Sequence, residues 1–369
     1  MAEPQQEGKS NGAPIRDVNH DDNGRGLFEE SSSDDDTSMD GDSSMDDGSS
    51  DDDIEADRPD EDDDIPTPDE LELEYTYPDD FQDRAWKDVI GKGHYCRLII
   101  NCEAVRDIPR YKFYGCRWLI EIVFLNNNKN NQRNILRYIG PDAFYKCLNL
   151  QRIRNGLPVG LVTLGRGAFR LCESLQQGLT FPRSVLLIDG YCFYGCRLIP
   201  SVAFDHLPTD PLKLREAVFS RCSELRSVTL PMSLRLIPQD CFHECVLLIH
   251  IPIPINVRVI ECGAFHRCYA LRHIDLSENI TEIRHNAYAD CTSLETVTIK
   301  SSNVQFGDHV FVLCSSLSTI KVYPWVLPRL FAATDGRTYV MQGLTTDDSN
   351  FRYKFLRKSQ HQLAQFRRR

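Results

Sequence analysis

The sequence predicts an α/β solenoid, a small strand-and-turn unit stacked many times, preceded by a strongly acidic segment. Three observations predict it. Nine times an aromatic residue is followed three positions later by cysteine: Phe113/Cys116, Phe144/Cys147, Phe169/Cys172, Phe193/Cys196, Phe219/Cys222, Phe242/Cys245, Phe265/Cys268, Tyr288/Cys291 and Phe311/Cys314. The steps between successive cysteines are 31, 25, 24 and 26, then 23 four times. A short fixed period of this kind is the signature of a stacked repeat. The third observation is charge: residues 1–80 hold 30 acidic and 4 basic residues, and residues 81–369 hold 24 acidic and 38 basic. The net −12 therefore joins a −26 segment to a +14 body.

The acidic segment comes first. Residues 31–64 are nearly all Ser, Asp and Gly, with too little apolar surface to offset the entropy of ordering a backbone. Residues 1–80 are accordingly expected to be disordered. Ser31, Ser32, Ser33, Thr37, Ser43, Ser44, Ser49 and Ser50 each have Asp three positions on, as at sites of acid-directed kinases. Each phosphate would add about −1.5 to −2 of charge. The polar, acidic start at Met1 lacks a secretory apolar region, and no run reaches the ~18 apolar residues of a membrane helix. The expected compartment is cytoplasm or nucleus.

One repeat unit reads clearly at Leu271, Ile274, Leu276, Ile280, Ile283, Ala287, Tyr288 and Cys291. Leu-x-x-Ile-x-Leu ends in a period of two, which suits a short strand with one buried face. In Ala-Phe-x-x-Cys the apolar residues fall three or four apart, which predicts a short helical or 3₁₀ turn. The nine aromatics, Phe113, Phe144, Phe169, Phe193, Phe219, Phe242, Phe265, Tyr288 and Phe311, are expected to form a spine, each burying ~150–250 Å².

The stretch Ile139-Gly140-Pro141-Asp142-Ala143-Phe144-Tyr145-Lys146-Cys147, followed by Leu150 and Ile153, resembles the BspA-like class of leucine-rich repeat. The resemblance runs over about residues 97–323. It implies a right-handed curved stack with parallel strands on the concave side and short helical turns on the convex side. It also implies ligand or protein binding, with no family-wide enzymatic activity.

On this reading residues 81–109 form an N-terminal cap and partial first repeat, and 110–322 the repeats. Residues 323–369 form a closure in which Phe351, Phe355, Leu356, Leu363 and Phe366 suggest a basic amphipathic helix. Repeat register is hardest to read at 176–181, 198–212 and 249–255. In the last of these, Pro252 and Pro254 fall where a strand needs its N–H groups.

Stacked cysteines could in principle form a metal strip or a disulfide ladder. Packing explains them better, because Cys192 and Cys241 fill the slot held elsewhere by Ala143, Ala168, Ala264, Ala287, Val218 and Val310. No metal, cofactor or catalytic residue is expected, and no nucleotide or zinc fingerprint is present.

Outward strand positions are free of packing demands and define the expected partner-binding face: Ser227, Thr229, His250, His273, Asp275, Thr296, Thr298, Thr319 and Lys321. His250, His273 and Asp275 could hold a metal or act as acid and base, although two histidines 23 apart also arise from ordinary polar filling. The expectation is a non-enzymatic protein-binding scaffold. The alternative is a basic solenoid that binds a polyanion such as nucleic acid, with its own phosphorylatable acidic segment as competitor.

Overall fold

A computed structural model describes residues 72–75, 96–125, 134–205, 212–326, 329–330, 339–343 and 353–357. These belong to one compact unit, Asp63–Arg369. Each repeat is a coil with three sides. The first side carries the longer strands, among them Cys96–Asn101, Leu119–Leu125, Arg152–Arg154, Leu179–Phe181, Ser201–Phe204, Ser227–Thr229, His273–Leu276, Thr296–Ile299 and Thr319–Val322. The second carries two-residue strands such as Tyr138–Ile139, Thr163–Leu164 and Glu282–Ile283. Strands of neighbouring coils pair in parallel on both sides, as in Ile274↔Val297↔Ile320 and Ile139↔Leu164↔Ile188.

The third side holds the Ala-Phe-x-x-Cys turns, and it corrects the expected helical turns. Among the described residues this side contains no helix. Its N–H groups alternate: Ala143, Tyr145 and Cys147 donate within the turn to the carbonyls of Gly140, Asp142 and Phe144 at 3.2–3.3 Å. Asp142, Phe144 and Lys146 instead donate to Arg166, Ala168 and Arg170 of the next coil at 2.8–2.9 Å. A helix would keep every N–H within its own turn. The alternation requires left-handed backbone at two positions per coil, here Asp142 at φ 53° and Lys146 at φ 58°. The coil is thus laddered on all three sides. Gly140 sits where an added Cβ would come within 2.7 Å of backbone atoms of Ile108 and Arg110.

The core runs unbroken along the coils. The nine aromatic rings stack in sequence, with centroids 5.0–5.8 Å apart and ring planes within 4–14° of parallel. Beside them each repeat cysteine from Cys147 onward donates its thiol to the carbonyl of the aromatic residue one coil earlier. Cys147 reaches Phe113 at 3.1 Å, Cys172 reaches Phe144 at 3.2 Å, and the series continues to Cys314 and Tyr288 at 3.1 Å. Packing alone is therefore an incomplete account of these cysteines: they also supply a donor, which Ala or Val would not.

The long-strand sheet is interrupted twice. After Arg152–Arg154 the side chain of Gln177 bonds both the N–H and the C=O of Ile153, at 3.0 and 2.9 Å, in place of a neighbouring strand. At Pro252 and Pro254 the ladder shrinks to a single bridge, Ser227↔His250. Both interruptions fall in segments where the repeat pattern is hardest to read.

Both ends depart from expectation. Glu72–Tyr75, inside the stretch expected to be disordered, forms a strand parallel to Arg97–Ile100. Residues 1–71 and 76–95, including the candidate phosphorylation sites and most of the N-terminal cap, lie outside the described residues. In the closure, Phe355 and Leu356 belong to a strand, Tyr353–Arg357, and not to a helix. This strand pairs antiparallel with Tyr339–Gly343 and with Lys321–Val322 of the last coil. The alternation Tyr353-Lys354-Phe355 suits a strand, and the hairpin covers an otherwise open ladder edge. Phe351, Leu363 and Phe366 lie outside the described residues.

Candidate partner-binding face

On the long-strand side alternate residues point inward, so Val228, Ile274, Leu276, Val297, Ile299, Ile320 and Val322 are buried. Their neighbours face out. Ser227, Thr229, His250, His273, Asp275 and Lys321 are exposed, and Thr296, Thr298 and Thr319 are half-buried between flanking strands. Register sets them in two rows: His273↔Thr296↔Thr319 and Asp275↔Thr298↔Lys321. Ser227 stands beside His250 through their bridge.

His250 and His273 are not joined in a ladder, because the prolines interrupt the sheet between them. Asp275 turns to Lys300, whose Nζ lies 2.8 Å from its Oδ2. The structure therefore sets these residues in two outward rows but does not assemble a His/His/Asp site. Among the described residues, no group of three His, Cys, Asp or Glu could hold a metal ion.

Reading the repeats missed a second feature of this face. Glu121, on Leu119–Leu125, is fully buried and gathers three arginines. Arg97 Nε meets its Oε2 at 2.5 Å, while Arg152 Nε and Arg154 Nε meet its Oε1 at 2.7 and 3.0 Å. Burial raises the pKa of this carboxyl, but the Arg97 hydrogen bond and the charges of Arg152 and Arg154 outweigh it and hold the pKa low. The signal in the sequence is a glutamate inside the apolar strand Leu-Ile-Glu-Ile-Val-Phe, one coil before Arg-Ile-Arg.

The turn side is organised differently. Its first coils layer tyrosines and cations: Tyr114 meets Tyr145 edge-on at 5.2 Å, and Arg170 lies 5.2–5.6 Å from the rings of Tyr145, Tyr191 and Tyr194. Farther along, Arg267 pairs with Glu244 at 2.8 Å and with Asp290 at 3.6 Å. His243 and His266 stack at 5.0 Å.

The BspA type leucine-rich repeat region matches in six copies, over residues 95–209, 137–269 and 201–318. The chain belongs to the BspA-type leucine-rich repeat family. Solved structures similar to it include a leucine-rich repeat protein from Bacteroides ovatus, 25% identical with a TM-score of 0.47. That likeness covers 60% of this chain and 63% of the Bacteroides chain, less than two thirds of its length. A leucine-rich cell surface protein from Faecalibacterium prausnitzii is 20% identical, with a TM-score of 0.30, over 64% of this chain and 81% of its own. The pneumococcal vaccine antigen PcpA is 16% identical, with a TM-score of 0.34, over 61% and 68%. No curated protein matches the chain.

Proposed function

We propose that this leucine-rich repeat chain is a non-enzymatic scaffold that takes a protein partner on its long-strand face. One observation carries the reading. The outward positions there are hydrogen-bonding side chains that the core does not require, small at Ser227, Thr229, Thr296, Thr298 and Thr319 and larger at His273, Asp275 and Lys321. Such rows offer a regular surface at ~4.8 Å spacing. A polyanion ligand is less well supported, because many of the arginines on the coils already face carboxylates. Arg166 faces Glu216, Arg226 faces Glu224, Arg267 faces Glu244 and Arg284 faces Glu282.

The test is affinity capture with the full chain. Replacing His273, Asp275, Thr296 and Thr298 with bulky charged residues should abolish capture and leave the melting temperature within a few degrees. Changes at exposed His273 and Asp275 typically cost under about 0.5 kcal/mol each, and those at half-buried Thr296 and Thr298 somewhat more. A matched set at Arg267, Tyr269 and Asp290 on the turn side should do less. Equal capture by the first variant and the parent removes this face from the function.

A further inference from the structure

Burying a carboxylate costs several kcal/mol unless hydrogen-bonded cations surround it. Glu121 is surrounded by three guanidinium groups, those of Arg97, Arg152 and Arg154. Arg152 and Arg154 both meet the carboxylate through Nε. Among the described residues their terminal Nη nitrogens form no hydrogen bond, and both side chains are about half exposed, 47% and 48%. They stand at i and i+2 of one strand, hence ~6.7 Å apart on the same side of the sheet. Glu121 fixes their inner edges and orients their outer edges.

The surroundings indicate what these edges would meet. Beyond Gln177 the face continues through exposed Gly178 and Thr180 and half-buried Ser201 and Ala203, all small. An added Cβ at Gly178 would come within 2.5 Å of Ser201 Oγ, so the Ser201 hydroxyl lies against the glycine. No cation extends the arginine pair into these coils, and no aromatic ring stands among these four residues for a base to stack on. A nucleic acid needs a run of phosphate contacts, with stacking if it is single-stranded. An extended peptide needs one or two carboxylate anchors and a shallow, small-residue path beside them.

We infer that Arg152 and Arg154, oriented by Glu121, form a carboxylate clamp that anchors an Asp- or Glu-bearing extended segment of a protein partner. This rests on the long-strand face being the binding face, and it names the partner's chemistry. Each guanidinium presents two Nη nitrogens, enough for a bidentate grip on one carboxylate.

The experiment follows a fluorescent Gly-Asp-Asp-Gly-Asp-Asp-Gly peptide by anisotropy with the full chain at low salt. Arg152→Gln with Arg154→Gln should weaken binding at least tenfold. Arg152→Lys with Arg154→Lys keeps the charge and loses the planar forks. It should weaken binding severalfold with the melting temperature held, which guards against a Gln variant that fails to fold. Glu121→Gln removes the charge that holds both Nε edges and should weaken binding severalfold with both arginines still in place, a loss that two independently exposed arginines would not show. Unchanged affinity in both arginine variants, or equal loss on Arg226→Gln with Arg272→Gln, overturns the clamp. So does a single-stranded RNA that binds more tightly than the peptide with the same arginine dependence. If capture still needs His273 and Thr296 while the peptide ignores Arg152 and Arg154, the face stands and the clamp falls. If neither set matters, the face itself is wrong.

Discussion

The thiol of Cys268 donates to the carbonyl of Phe242, one coil earlier, at 3.1 Å. The same carbonyl also receives the N–H of Cys245 at 3.2 Å, so the sulfur supplies a second donor to an acceptor with two lone pairs. Cys268→Ala should cost about 1–2 kcal/mol, the sum of a weak lost bond and a small cavity. A urea titration that finds less than about 0.3 kcal/mol would reduce the thiol to a space filler.

Tyr288 is the one departure from Phe in the spine. Its ring stacks on Phe265 at 5.0 Å, but its hydroxyl is buried without a hydrogen-bond partner among the described residues. Tyr288→Phe should therefore stabilise the fold by about 1–2 kcal/mol, the usual penalty of an unsatisfied buried group. Phe265→Ala should cost about 3–5 kcal/mol as the reference for loss of a spine ring. Destabilisation by Tyr288→Phe in the same denaturant titration would reveal a partner for the hydroxyl.

All fourteen cysteines are free thiols, and only Cys116 and Cys262 are half-exposed. Burial pushes Cys96 up to about 11 and Cys102 up to about 12, and Cys172, Cys245 and Cys291 rise well above the ordinary 9.0. Native alkylation at pH 8 should modify at most those two half-exposed thiols, against fourteen after denaturation. For Cys96 and Cys102 the linkage has one sign. Unfolded thiols ionise near pH 9 while Cys96 and Cys102 stay protonated, so stability is complete below pH 9 and is lost as pH rises toward 11–12. Mass spectrometry of the alkylated chain and melting curves across that window measure both. Rapid labelling of Cys268 would contradict the buried column.

His243 and His266 titrate in the other direction. Burial lowers both pKa values, and the neighbouring Arg267 adds to it, against the opposing pull of Asp240 on both and of Glu244 on His243. The unfolded chain then binds protons first as pH falls. Stability is complete above about 6.5 and declines as pH drops through the folded values. Replacing both histidines with Gln should flatten the acid side of a melting-temperature profile, and an unaltered profile would assign that limb to carboxylates.

The coil was legible in the sequence because its period is carried by residues with one inward direction each, such as Phe265, Cys268, Leu271 and Ile274. The turn conformation was not. Apolar residues three or four apart fit a helical turn and the observed alternating turn equally, and the difference lies in backbone signs at Asp142 and Lys146 that side-chain type does not announce. The donor role of the cysteines depends on a carbonyl in another coil, which periodicity cannot display. The rows at His273 and Asp275 could be read from alternation alone. The Glu121 cluster could not, because its partners lie 24, 31 and 33 residues away on two other strands.

A coil bonded on three sides at one common register makes length an adjustable quantity. Removing 23 residues, 269–291 for example, would bring Thr292 behind Cys268 and return every donor to an equivalent acceptor. Removing 22 would slip all three ladders together and turn a spine ring outward. The chain can therefore gain or lose whole storeys, and with them reach along a partner, while remaining closed to smaller changes.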